Sequence, residues 1–252
     1  MSNGPGYHNC KAVLATKIRD LLRDLGPSTH DEIAPIIEYW IEYGLTEQFT
    51  TIVDLVELVS PVAWDTHGSP SDISRFLKEF RDAPHRSEQA RSFVDKLCER
   101  VLRWFAAASA EGLQVWTGRE TNRVARVGGE GFMRAASFVG HLIERGLFSH
   151  ELVRRHLVKP LIALHYTDND VTERYFRAMA IYKLFIAAKN TLLQGLLEPE
   201  DVQACFKALD AHINTRIGFS HRAALVGPDA AMIKVRCSIC PGATYLDLYV
   251  NL

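Results

Sequence analysis

Residues 138–162, FVGHLIERGLFSHELVRRHLVKPLI, decide the fold of this chain. Phe138, Val139 and Leu142 recur at helical spacing, Gly146 interrupts that period, and Val153, Leu157, Leu161 and Ile162 resume it after Ser149. The stretch reads as the end of one helix, a tight turn through Gly146-Leu147-Phe148, and a second, antiparallel helix that Pro160 ends or kinks. Each helix of such a hairpin has an apolar face too wide to leave in water, so it needs further hairpins to pack against.

Working outward, the same period marks nine segments, and no strand pattern competes with it before the last twenty or so residues. Leu14, Ile18, Leu21, Leu22 and Leu25 form one stripe, stopped by Gly26-Pro27. Ser28 or Thr29 is expected to cap a second helix, with Asp31 and Glu32 in its first turn, Ile33, Ile36, Ile37, Trp40 and Ile41 facing inward, and Gly44 closing it. Phe49, Ile52, Val53, Val56 and Val59 define a third, broken near Pro61, and Ile73, Phe76, Leu77 and Phe80 a fourth after Ser69-Pro70-Ser71. Ser87 opens a fifth, with Phe93, Val94, Leu97, Cys98, Val101, Leu102 and Phe105 on its inner face. Residues 111–131 lose the period, hold five glycines and carry Arg119, Arg123 and Arg126, which predicts an exposed loop. Helices over 132–145 and 149–164 make the hairpin. An eighth runs through Val171, Tyr175, Met179, Tyr182, Phe185 and Ile186, and a ninth, after Pro199, through Val202, Cys205, Phe206, Leu209 and Ile213. Pattern alone leaves open an irregular helical bundle and a stack of hairpins.

At 252 residues the chain is long enough for one large domain or a short solenoid. With 47% hydrophobic and 23% charged residues its composition is that of a soluble globular protein, and no run of ~20 uncharged apolar residues suggests a membrane span. The N-terminal MSNGPGYHNC does not resemble a secretory leader. The cysteines at 10, 98, 205, 237 and 240 are odd in number and scattered, which suits a reducing compartment, the cytoplasm or the nucleus. A net charge of −1 gives no global reason to bind nucleic acid, so any such binding rests on a local patch.

The pair Cys237-x-x-Cys240 has the spacing of half a zinc site, yet no second pair exists and His212 and His221 fit poorly as partners, so structural thiols are the expected reading. Gly128-Gly129-Glu130-Gly131 lacks the remainder of a phosphate loop and reads as a flexible loop end. No nucleophile elbow and no carboxylate pair in a pKa-raising setting appears, which leaves no catalytic residue, cofactor or small-molecule substrate to name. The arginines remain: Arg119, Arg123 and Arg126, with Arg134, and Arg154, Arg155 and Lys159 on the polar side of the second hairpin helix. Each suits phosphate or an acidic protein surface, although a solvated face is the general reading of a charge run.

Three segments resemble the middle domain of eukaryotic translation initiation factor 4-gamma. The hairpin carries the first: Phe138, Val139, Gly140, Leu142, the Gly146-Leu147-Phe148 turn, Val153, Leu157, Leu161 and Ile162, with His141 where the family prefers Glu. The run Lys17 to Leu25, followed by His30-Asp31-Glu32-Ile33 and Ile36-Ile37, is similar to the family's opening helix pair, with Arg23-Asp24 for the usual Asn-Lys. RSFVDKLCERV at 91–101 resembles a middle segment. The order is the family's, and the resemblance covers about residues 17–213. It implies an all-α HEAT/armadillo-type helical-hairpin solenoid: one domain over 1–252, with its core about 11–214 and an extension over 215–252. It also implies a non-catalytic scaffold in mRNA translation whose partners are a DEAD-box RNA helicase and RNA. Two rivals stand beside it: an interaction module that keeps the fold without either ligand, and a small helical enzyme whose site is assembled from residues that no motif reveals.

Overall fold

The computed structural model describes residues 5–26, 28–47, 50–65, 67–111, 129–153, 156, 180, 182–188 and 191. Its elements are α1 (Pro5–Arg23), α2 (His30–Thr46), α3 (Ile52–Val59), a 3-10 turn (Ser60–Ala63), α4 (Pro70–Asp82), α5 (Glu88–Glu111), α6 (Gly129–Glu144) and the start of α7 (His150–Val153), with further helix over 182–188. All regular structure among the described residues is helical.

Local chemistry sets most of the boundaries. Thr51 and Asp54 form a reciprocal capping box at the head of α3. Ser69 accepts from the Asp72 N–H at 3.3 Å with Pro70 in the first turn of α4, and Ser87 accepts from the Ala90 N–H at 3.3 Å before α5. Pro61 has no N–H to donate, and the chain tightens into the 3-10 turn around it. The second helix departs from expectation at both ends. Thr29 stands at the N-cap, but its hydroxyl turns back to Gly26, accepting from the N–H at 2.9 Å and donating to the carbonyl at 3.0 Å. Gly44 does not close α2 but lies inside it, where an added Cβ would overlap the Leu14 side chain of α1. The missing Cβ lets these two helices approach closely.

The inner faces of α4 and α5 are as expected: Ile73, Phe76, Leu77 and Phe80, and the seven residues from Phe93 to Phe105, are all buried. Trp104 joins them, stacked on Trp64 at 4.2 Å between ring centroids. Three expected inward residues face out instead: Ile36 is 43% exposed, Val53 63% and Ile186 44%. In each helix enough other apolar residues, such as Ile33, Ile37 and Ile41 in α2, fill the inner stripe. The glycines at 129 and 131 are also not a loop end; α6 begins at Gly129, and Phe132 stacks on Phe105 with centroids 5.0 Å apart.

α1 packs on α2 and α3, α3 on α5, α2 on α5, α4 on α5 and α6, and α5 on α6. Each of these pairs lies within three helices along the chain, and together they enclose one continuous apolar core. Phe49, Pro27, the arginine loop at 112–128, Leu157, Leu161, Ile162, the first half of the eighth helix, the ninth helix and the 215–252 extension lie outside the described residues.

Candidate functional site

The hairpin of the decisive stretch begins with buried Phe138, Val139 and Leu142 on α6. Gly140 between them is where 182–188 crosses α6: an added Cβ would stand 2.7 Å from both the Leu184 carbonyl oxygen and the Ala187 Cβ. The turn is a Schellman motif. Gly146 takes φ +66°, its N–H donates to the Ile143 carbonyl at 2.9 Å, and the Leu147 N–H reaches the Leu142 carbonyl at 3.0 Å. Leu142 and Leu147 are both buried, the apolar contact that this motif commonly carries. Ser149 then accepts from the Leu152 N–H at 3.2 Å and starts α7, whose Val153 is buried. A shallow groove of about 460 Å³ lies against this turn, with Arg81, Asp95 and Glu99 on one wall and Leu147, Phe148 and Leu152 on the other. Arg81 reaches Asp95 at 3.6 Å and Asp82 at 2.9 Å, so the charges of that wall are partly matched within it.

Of the basic residues singled out from sequence, Arg134 is described, and it holds the fold together. Its Nη2 donates to the His67 carbonyl at 2.9 Å, which ties α6 to the loop before α4, while its Nε is buried without a hydrogen-bond partner. Burial pulls its pKa below the usual arginine value, opposed by the charge of Asp65. Asp65 belongs to the same knot: it accepts from the His67 N–H at 3.1 Å and pairs with Arg23, which also pairs with Asp20 at 2.9 Å. Burial would raise the Asp65 pKa, but the His67 N–H and the Arg23 guanidinium outweigh it and hold the carboxyl below its ordinary value. Gly68 fits beside this knot at φ +75°, against the Arg23 backbone. Arg119, Arg123, Arg126, Arg154, Arg155 and Lys159 lie outside the described residues, as do Cys237 and Cys240.

Sequence reasoning missed an aromatic surface. Tyr39, 56% exposed, and Tyr43, 40% exposed, stack at 5.9 Å with 22° between their planes, and Trp40 meets both edge-on at 5.1 and 5.9 Å. The Lys17 ammonium of α1 sits 4.0 Å from the Trp40 ring centroid. The available signal was the i, i+3, i+4, i+7 recurrence of Ile36, Tyr39, Trp40 and Tyr43 on a helix whose opposite side already had a complete inner stripe.

Among the described residues there is no group of three or more His, Cys, Asp and Glu side chains placed to hold a metal, and no helix long and apolar enough to cross a membrane. Cys98 is buried, which pushes its thiol up to about 12, whereas Cys10 is exposed. No protein-family model matches the chain, and no curated protein or solved structure matches it either.

Proposed function

We propose that the chain is a non-catalytic scaffold of mRNA translation, built as a HEAT/armadillo-type stack of hairpins, that holds a DEAD-box RNA helicase and contacts RNA. The observation that carries this reading is the behaviour of Phe138, Val139, Gly140, Leu142, Gly146 and Leu147. These residues carry the resemblance to the initiation-factor domain, and they are also where the chain needs burial, a close helix crossing and a left-handed turn. Packing between helices near in sequence supports a stack, since each hairpin of a solenoid contacts its neighbours. The cytoplasm is the compartment that goes with this role, the nucleus its alternative. The RNA contact falls to Arg119, Arg123 and Arg126, with Arg154, Arg155 and Lys159 as a second group. Arg134 contributes by holding α6 rather than as a mobile cation, because its guanidinium is engaged by the His67 carbonyl.

The test is a titration of the full chain into a DEAD-box helicase of the translation-initiation class, reading ATPase rate, and into single-stranded RNA at several salt concentrations. Stimulation of the helicase and a salt slope of about −0.7 per phosphate contact are expected, with the slope reduced when Arg119, Arg123 and Arg126 are all changed to Ala. A chain that neither stimulates the helicase nor binds RNA would leave the interaction module as its function.

A further inference from the structure

The outward face of α2 has an organisation that core packing does not explain. Ile36, Tyr39 and Tyr43 follow one another at helical spacing on the side away from Ile33, Ile37 and Ile41, and all three are exposed. Glu32 precedes Ile36 by four residues and Glu47 follows Tyr43 by four, so the stripe has a carboxylate one turn beyond each end; Glu42 flanks it. Glu32, Glu42 and Glu47 are exposed and take part in no ion pair among the described residues. Glu38, by contrast, turns inward and is consumed by Arg86 at 2.6 Å. α2 itself contributes no Lys or Arg. From Glu32 to Thr46, next to the C-cap Glu47, the helix rises about 21 Å, the reach of about six or seven extended residues.

We propose that this face binds a short basic segment of a partner protein, with Arg or Lys side chains seated on the tyrosine rings and paired with Glu32, Glu42 and Glu47, independently of any helicase or RNA contact. Charge complementarity selects this occupant. A phosphate backbone would meet three unpaired carboxylates with no cation from α2 to offset them. A second copy docking through the same patch would bring three more carboxylates to a face whose one cation, Lys17, is already seated on Trp40. A cation over aromatic rings is favoured in both respects, and the cluster already holds one, the Lys17 ammonium on Trp40.

The experiment uses the full chain and a fluorescent seven-residue peptide alternating Arg and Leu, with the same peptide carrying Glu for Arg and a single-stranded oligonucleotide as the other probes. The Arg peptide should bind and the Glu peptide should not. Tyr39→Ser with Tyr43→Ser should weaken binding roughly ten-fold, two exposed cation–π contacts at about 0.5–1 kcal/mol each. Tyr39→Phe with Tyr43→Phe should restore it, since the rings remain. Reversal of Glu32 and Glu42 to Lys should abolish the preference for the basic peptide, with unchanged melting temperature confirming a folded chain. Failure of the Arg peptide to bind, or binding that neither the double serine variant nor the double lysine variant alters, overturns the proposal. So does an oligonucleotide, or self-association seen by sedimentation, that depends on Tyr39 and Tyr43.

Discussion

α2 and α4 pack near one another, His30 of α2 meeting Glu79 of α4 at 2.6 Å and lying edge-on to Phe76, yet they use their apolar residues in opposite ways. In α4, PSDISRFLKEFRD, the hydrophobic residues are Ile73, Phe76, Leu77 and Phe80, and all are buried. In α2, HDEIAPIIEYWIEYGLT, the apolar residues spread over a much wider arc: Ile33, Ala34, Ile37 and Ile41 are buried, Trp40 and Leu45 pack partly buried against the core, and Ile36, Tyr39 and Tyr43 are exposed. A sparse apolar pattern has a definite phase, so burial follows from it. A dense one does not, and the surplus is left exposed as Ile36, Tyr39 and Tyr43. α2 also has a polar attachment at its middle: Glu38 accepts from Arg86 at 2.6 Å and from the Ser87 N–H at 2.8 Å, which fastens it to the turn before α5.

The comparison breaks most readily at Phe76, 1% exposed and stacked on Phe80 at 5.4 Å between centroids. Phe76→Ala should cost about 3–5 kcal/mol, through lost transfer energy and the cavity left behind. For a chain of this size that lowers the melting temperature by on the order of 10 °C, measured by circular dichroism at 222 nm. A change below about 1 kcal/mol would mean that α4 is not the close-packed partner that its burial describes.

The same contrast explains how far the sequence could be read. Ile73 to Phe80, and Phe93 to Phe105 on α5, were assignable because polar residues separate the stripe from everything else. Gly146, Ser69 and Ser87 were legible because turn and cap chemistry is local and belongs to few residue types. Ile36, Val53 and Ile186 were misplaced because a helical wheel with apolar residues on several sides does not state which side meets a neighbour. Gly44 looked like a terminator because a glycine that ends a helix and one that admits a neighbouring helix are the same letter; the difference lies in Leu14, thirty residues away. Arg134 was grouped with mobile cations for a similar reason, its partner being the backbone of His67. The remaining arginines of the candidate interface fall outside the described residues, and the case for them is still that of charge and spacing.

A smaller effect sharpens the polar half of the comparison. Burial would raise the Glu38 pKa, but the Ser87 N–H and Arg86 outweigh it and hold the carboxyl below its ordinary 4.5. Its folded-state pKa being depressed, its contribution to stability is present above the ordinary value and is lost as pH falls through the depressed one. Glu38→Gln should therefore cost about 1.5–3 kcal/mol at neutral pH, the range for hydrogen bonds to a charged group. Urea melts from pH 7 to pH 3 should show the gap between wild type and variant closing as the solution becomes acidic. A gap that stays constant over that range would show that the carboxylate charge is not what fastens α2.

The smallest effect is the most discriminating, because it compares one residue type in two helices. Ile36 is 43% exposed in α2 and Ile73 is 0% exposed in α4. Ile and Ser differ little in helix propensity, so replacing either isoleucine with serine changes mainly what the side chain buries. Ile73→Ser removes apolar contacts and places a hydroxyl in the core, with a loss comparable to other large-to-small core changes, about 2–5 kcal/mol. Ile36→Ser should stay within about 0.5 kcal/mol of wild type in the same urea titration, as substitutions on an open surface do. If Ile36→Ser instead cost more than about 1 kcal/mol in the isolated chain, the outer face of α2 would be covered by the chain itself. The tyrosine stripe would then be part of the core, and the contrast between a helix that hides its apolar residues and one that displays them would fail.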